Sequence, residues 1–195
     1  MAKKTEVIFI LDRSGSMAPL SADTVGGFNS TLNAMRETEG DCVVTTVLFN
    51  NRTHTLHDRL PLESVPKMEP TDFLAVGNTA LLDAIGKTVS HISTIHRYAR
   101  PEDLPERTVF FITTDGMENA SRSYEAEEVR QLISSKTEEN NWEFHFLAAN
   151  IDAVSTARHL GISRQFAKQF SADSVGVEKT YACMARIIKE EEQKQ

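Results

Sequence analysis

The sequence has little of what would tie a protein to a membrane, to nucleic acid or to an oxidising compartment. Its apolar runs are short: Val7-Ile8-Phe9-Ile10-Leu11 spans five residues, against the ~20 needed to cross a bilayer. Placed behind Met1-Ala2-Lys3-Lys4-Thr5-Glu6, that run is also too short for a secretory leader. Twenty-one Lys and Arg against 28 Asp and Glu leave a net charge of −7. This argues against the basic face that phosphate backbones require. Only two cysteines occur. Cys42 opens an apolar run and Cys183 falls in a helical pattern, so both read as small buried residues, not as a disulfide, a zinc knuckle or a redox CxxC pair. The expectations are therefore a cytoplasmic protein, with neither membrane nor nucleic acid as partner. The remainder, 40% hydrophobic and 25% charged over 195 residues, suits one globular domain over 1–195 with its core at about 5–188.

Hydrophobic periodicity divides the chain into alternating strands and helices. A fully apolar strand at about 6–11 precedes a helix at about 22–37, whose stripe is Val25, Phe28, Leu32 and Met35, with Gly40 beyond it as a stop. Cys42–Phe49 is a β-branched strand. The turn residues Asn50-Asn51-Arg52 then fold the chain back into a half-buried antiparallel edge strand at about 53–60, carrying Leu56 and Leu60. Residues 61–78 are irregular. A helix at about 80–97 follows (Leu81, Leu82, Ile85, Val89, Ile92), then a strand at 108–113, a helix at about 124–137 and a strand at 142–148. A short helix at about 152–160, a short edge strand at 165–170 and a last helix at about 174–192 complete the pattern, with the charged end 190–195 read as solvated. Such alternation implies an α/β fold of three layers (α/β/α), with a mostly parallel central sheet, one antiparallel edge strand and helices on both faces.

The chemistry concentrates where the strands end. Asp12, Ser14 and Ser16 alternate as the chain leaves the first strand, and Gly15 is expected to let the backbone curl so that the three side chains converge. Asp115 leaves the strand at 108–113, and Thr79 lies immediately before a helix. In an open α/β sheet these loops share the carboxyl edge, where ligands bind. Each piece has an ordinary reading by itself: helix-capping hydroxyls at 14, 16 and 79, and a turn at Asp115-Gly116. Together they supply carboxylate and hydroxyl oxygens, hard ligands suited to Mg²⁺ or Mn²⁺ rather than zinc. Glu118 reads as a solvated loop residue, with tuning of the site or a second ion as the alternative. Arg13 reads as an exposed spacer, the alternative being a contact with an acidic partner.

Enzyme motifs fail on inspection. Gly86-Lys87-Thr88 lies inside an amphipathic helix, and Leu81 stands where a phosphate loop needs its first glycine. Asp12-Arg13-Ser14 lacks the second aspartate of an aspartyl-phosphate phosphatase. Ser14-Gly15-Ser16 is not a nucleophile elbow, and the six histidines show no HExxH spacing.

The order DxSxS (Asp12, Ser14, Ser16), then a threonine before a long helix (Thr79), then a strand ending in Thr-Asp-Gly (Asp115) resembles the metal-ion-dependent adhesion site of von Willebrand factor type A domains. The resemblance extends over about 5–188. The stretches Ile10–Met17 and Thr113–Ala120 look like small stand-alone bacterial members of that family. It implies that Ser14 and Ser16 touch a divalent ion (Mg²⁺, or Mn²⁺ or Ca²⁺), that Thr79 does so directly or through water, and that Asp12 and Asp115 act largely through water. It also implies a protein partner that presents an acidic side chain to the metal. In the larger family the last helix moves when the metal takes such a ligand, which here points to 174–192; other members do not switch. Metal-dependent protein binding without catalysis is the expectation. The alternatives are a Mg²⁺-dependent phosphoryl-transfer enzyme and a structural subunit with a vestigial metal site.

Overall fold

The computed structural model describes residues 4–37 and 40–190. The strands are β1 (Thr5–Asp12), β2 (Cys42–Phe49), β3 (Thr53–Pro61), β4 (Arg107–Thr114), β5 (Glu143–Ala149) and β6 (Ala167–Phe170). They form one sheet in the order β3-β2-β1-β4-β5-β6. All neighbours are parallel except β2 and β3. The helices are α1 (Ser21–Arg36), α2 (Leu81–Tyr98), α3 (Ala126–Asn140), α4 (Ala153–His159) and α5 (Ser174–Glu190). This is a three-layer α/β/α fold with one antiparallel edge strand, as the alternation implied.

Every residue of β1 and β2 is buried, because helices cover both faces of the sheet. Side-chain alternation along β1 then sorts the core into two. Val7, Phe9 and Leu11 join Phe28, Leu32 and Met35 of α1 and Val177, Tyr181, Met184 and Ile188 of α5. Ile8 and Ile10 join Leu81, Ile85, Val89 and Ile92 of α2 and Val129 and Ile133 of α3. Cys42 and Cys183 are both buried thiols. Among the described residues no helix is long and apolar enough to cross a membrane.

Several boundaries move for identifiable reasons. Residues 165 and 166, read from sequence as strand, belong to a 3₁₀ turn over Arg164–Phe166 in which Phe166 N–H bonds Ser163 O at 2.9 Å, so β6 starts at Ala167. Helix α2 starts one residue late because Ala80 is its N-cap: its ψ of 64 is not helical, although its carbonyl accepts from Ala84 N–H at 3.1 Å. Helix α3 starts after Glu125, which forms a capping box with Glu128. It ends at Asn141 in the left-handed region (φ 54), and that turn delays β5 to Glu143. The charged end from Glu191 onward lies outside the described residues.

The antiparallel pairing of β2 with β3 is interrupted near Thr45. There Arg59, at φ 50, turns its N–H to Thr45 Oγ1 and its Nε to Glu6 Oε1 at 2.6 Å. Glu6 is wholly buried on β1 and also meets His96 of α2 at 2.5 Å. This buried carboxylate is answered by two basic side chains.

Candidate metal centre

Strand order reverses between β1 and β4: the chain moves from β1 outward to β2 and β3, then returns to the other side of β1. The carboxyl end of that pair is the crevice where open α/β sheets take ligands. Leu11 is in register with Thr113, so Asp12, the last residue of β1, stands beside Thr114 at the end of β4. The Thr114 hydroxyl donates to Asp12 Oδ2 at 2.7 Å and accepts from Gly116 N–H at 3.3 Å. Asp12 Oδ1 accepts from Ser14 N–H at 2.7 Å. One carboxylate oxygen thus faces the loop that follows β1 and the other the end of β4.

From Gly15 to Leu20 that loop is a 3₁₀ turn, which the sequence did not announce. It puts Ser14 Oγ 3.2 Å from Ser16 Oγ, and Ser16 Oγ donates to Asp115 Oδ1 at 2.6 Å. A hydroxyl has one proton, so Ser14 is the donor to Ser16. Asp115 and Ser14 are buried and Ser16 is exposed, so the cluster opens to solvent at Ser16. Gly15 is not in the left-handed region. Its role differs from the expected curl: its N–H bonds Gly77 O at 2.9 Å, which ties the loop after β1 to the loop before α2.

Thr79 lies in that second loop and is buried. It is not the cap of α2, since Ala80 occupies that position. Its N–H bonds Asn119 Oδ1 at 2.9 Å, and Asn119 N–H bonds Thr79 O at 3.0 Å. Its Oγ1 lies 3.7 Å from where a Cβ on Gly116 would sit, so the hydroxyl borders the Asp115-Gly116 turn. The structure therefore links Asp12, Ser14, Ser16 and Asp115 by a continuous hydrogen-bond chain and sets Thr79 beside them. The capping reading does not hold for the serines: Ser14 makes no side-chain cap bond, and Ser16 lies inside the 3₁₀ turn.

Thr114 and Asn119 hold this arrangement, and sequence reasoning passed over both as site residues. The Thr-Thr-Asp-Gly run was the available signal for Thr114. Nothing in the sequence pointed to Asn119, whose role depends on a contact across 40 residues. Glu118 is neither solvated nor directed at the cluster. It accepts from Leu82 N–H (3.0 Å), Ala120 N–H (2.9 Å), Ser121 N–H (2.7 Å) and the Ser121 hydroxyl (2.8 Å), and so caps the start of α2. Arg13 is not an exposed spacer either. It is half-buried and donates from Nη1 to Asp72 O at 3.0 Å, and burial lowers its pKa.

The donor set is two carboxylates and three hydroxyls, all hard oxygens of the kind Mg²⁺, Mn²⁺ and Ca²⁺ prefer. Asp12 is 0% exposed, and its carboxylate oxygens accept from neutral donors. Neither Asp12 nor Asp115 has an ion-pair partner among the described residues. Burial pushes the Asp12 carboxyl above its ordinary value, and the charge of Asp115 pushes the same way against hydrogen bonds from Thr114 and Ser14. Two acids held together without a cation fit a divalent ion. Among the described residues no group of three or more His, Cys, Asp or Glu is placed to hold a metal, so any site here depends on its hydroxyls.

A parallel sheet wound on both sides, with an oxygen cluster at its switch point, defines an α/β domain with a ligand crevice at the strand ends. More narrowly, the chain has the von Willebrand factor type A fold. The von Willebrand factor domain of the type V pilus tip protein Mfa5 from Porphyromonas gingivalis superposes with a TM-score of 0.65 at 8% identity, covering 100% of this chain and 98% of that one. The pilus adhesin SpaC from Lactobacillus rhamnosus GG gives 0.72 at 11% identity, over 97% of this chain and 31% of that one. Proximal thread matrix protein 1 from the mussel byssus, solved with zinc in its MIDAS motif, gives 0.62 at 12% identity, over 95% and 46%. The chain thus spans less than half the length of the Lactobacillus and mussel proteins. No protein-family model matches the sequence, and no curated protein matches it.

Proposed function

We propose that this chain is a divalent-metal-dependent protein-binding module in which Asp12, Ser14, Ser16, Thr79 and Asp115 hold Mg²⁺, Mn²⁺ or Ca²⁺. The observation that carries the reading is the buried Asp12 carboxylate, beside Asp115 and with no cation partner among the described residues. An ion ligated by three neutral hydroxyls and only two carboxylates stays short of anionic ligands. The chemistry it would supply is affinity for one further carboxylate, offered by a partner protein. The solved structures of like fold include a pilus adhesin and a byssal matrix protein, which supports binding rather than catalysis. Four of the six histidines are engaged by other partners. His57 contacts Thr46, His91 contacts Asp58, His96 contacts Glu6 and His159 contacts Ser155 O. The two buried thiols suit a reducing compartment, so the cytoplasm is part of the same proposal.

The test is isothermal titration of metal-stripped protein with Mg²⁺ and with Mn²⁺, alongside Asp12→Ala. Saturable binding that disappears in the variant is the expected result. Equal affinity in the two proteins would place the ion elsewhere and overturn the assignment.

A further inference from the structure

Among the described residues seven large apolar side chains are exposed, and three of them border the candidate centre: Leu74 (62%), Val76 (60%) and Met117 (75%). Leu74 and Val76 lie in the loop that leads to Thr79, and Met117 lies two residues after Asp115. Scattered exposed apolar residues need no explanation. These three differ because the backbone that carries them is tied down. Phe73 is buried in the core and Ala75 packs against it, so the segment alternates inward and outward and leaves Leu74 and Val76 facing solvent. Val76 N–H bonds Arg13 O at 3.0 Å, Asn50 Nδ2 bonds Val76 O at 2.9 Å, and Arg13 Nη1 bonds Asp72 O at 3.0 Å. A slip of one residue that buried Leu74 and Val76 would break these bonds and expel Phe73. Met117 follows Gly116, where an added Cβ would lie 3.7 Å from the Thr79 hydroxyl oxygen. Apolar side chains therefore flank the oxygen cluster from both loops.

We infer that this rim recognises a peptide segment in which a single Asp or Glu is flanked by large apolar residues. The inference rests on the metal-binding reading above and adds the identity of the neighbours. Charge favours this occupant over an acidic run. The chain carries a net −7, so a polyacidic segment is repelled overall, whereas one carboxylate set among apolar side chains meets the ion and the rim together. Leu74, Val76 and Met117 would lose water-exposed apolar surface to the flanking residues.

The probes are acetyl-leucyl-glutamyl-leucinamide and acetyl-glycyl-glutamyl-glycinamide. Each is titrated into the Mg²⁺-loaded full chain carrying ¹³C-methyl methionine and followed by NMR. The leucine peptide should bind about tenfold tighter, the difference expected from partial burial of two leucines, and should shift the Met117 methyl signal. In the triple variant Leu74→Ser/Val76→Ser/Met117→Ser the two peptides should bind alike, while calorimetry shows Mg²⁺ affinity unchanged. Equal binding to the native chain, a preference that survives in the triple variant, or no binding of either peptide to Mg²⁺-loaded protein would each overturn the inference. Failure of Mg²⁺ to bind with and without peptide would overturn the underlying reading as well, and calorimetry separates that case from the others.

Discussion

Ser16 Oγ donates to Asp115 Oδ1 at 2.6 Å across a sequence separation of 99 residues. The contact exists because β1 and β4 are parallel neighbours in register, so the turns that leave them emerge side by side. It fixes how an incoming ion would be met: the Ser16 proton is held by Asp115 and one lone pair accepts from Ser14, which leaves the second lone pair of the hydroxyl oxygen for the ion. The serine is exposed to solvent.

The Asp12 carboxyl gives this region a distinctive dependence on pH. Burial raises its pKa above 3.8 in the folded chain. The native state then binds more protons than the unfolded state between 3.8 and the folded value, so stability falls as pH rises through that window and is level above it. Asp12→Asn removes the buried charge. Metal-stripped Asp12→Asn should unfold at a higher temperature than the native chain at pH 7, and the difference should shrink toward pH 4. With Mg²⁺ at a hundred times its Kd the order should reverse: the native chain gains about 2.7 kcal/mol and the variant gains nothing. Scanning calorimetry with EDTA and with Mg²⁺ checks both halves. A stripped variant less stable than the native chain at pH 7 would show that the hydrogen bonds outweigh burial.

The two glycines that join the loops should respond differently to alanine. Gly77 sits at φ +81, and a Cβ there would fall 2.1 Å from Asn51 Oδ1, the atom that accepts from Asn78 N–H. Gly77→Ala therefore loses a side-chain bond as well as backbone ease, and should cost about 1–3 kcal/mol. At Gly15 a Cβ would meet Gly77 O at 3.4 Å, an ordinary contact, and the backbone is not left-handed. Gly15→Ala should cost well under ~1 kcal/mol. Denaturant unfolding of the two variants measures the contrast.

This pair also shows what the sequence could and could not tell. Alternation and helical stripes rest on burial, so β1, β2, β4 and the faces of α1, α2 and α5 were legible. Oxygen ligands at strand ends were legible because parallel connections bring those ends together. A glycine in a short motif looks the same whether it supplies a rare φ or a close approach. Gly15 was credited with the first, while the left-handed glycine of this region is Gly77. Arg13 and Glu118 were misread for a related reason. Arg13 bonds Asp72 O, and Glu118 joins the local Ala120 and Ser121 N–H groups to the distant Leu82 N–H; no local pattern marks a charged side chain that bonds distant backbone.

Glu118 is the sharpest test of that distinction. It is close enough to Asp115 in sequence to be taken for a ligand, yet its two oxygens accept four hydrogen bonds around the start of α2. Glu118→Ala should cost about 1–2 kcal/mol in unfolding, the scale of a lost helix cap. It should leave Mg²⁺ affinity within a few-fold of the native value. Loss of Mg²⁺ binding from a variant that still folds would return Glu118 to the site.

At the opposite edge of the sheet Glu143 should produce a pH dependence of the reverse sign. Burial alone would raise its pKa, but His145, 3.5 Å away, and the fork of Arg107, with Nε at 2.8 Å and Nη2 at 3.1 Å, outweigh burial and hold it down to about 2. A carboxylate depressed in the folded state contributes stability that is complete above its ordinary value of 4.5. That stability is lost as pH falls from 4.5 through about 2. Arg107 also reaches the Ile187 and Ile188 carbonyls at 3.4 Å each, so the pair anchors the C-terminal turn of α5. Glu143→Gln should cost about 2 kcal/mol at pH 7, the scale of hydrogen bonds to a charged group, and the deficit should vanish near pH 2. Its acid limb is then shallower than that of the native chain, while Asp12→Asn leaves the Glu143 loss in place. Acid titration of both variants under EDTA, followed by far-UV circular dichroism, separates the two carboxylates. A Glu143→Gln curve parallel to the native one down to pH 2 would mean that the Arg107 pair contributes nothing to holding α5 against the sheet.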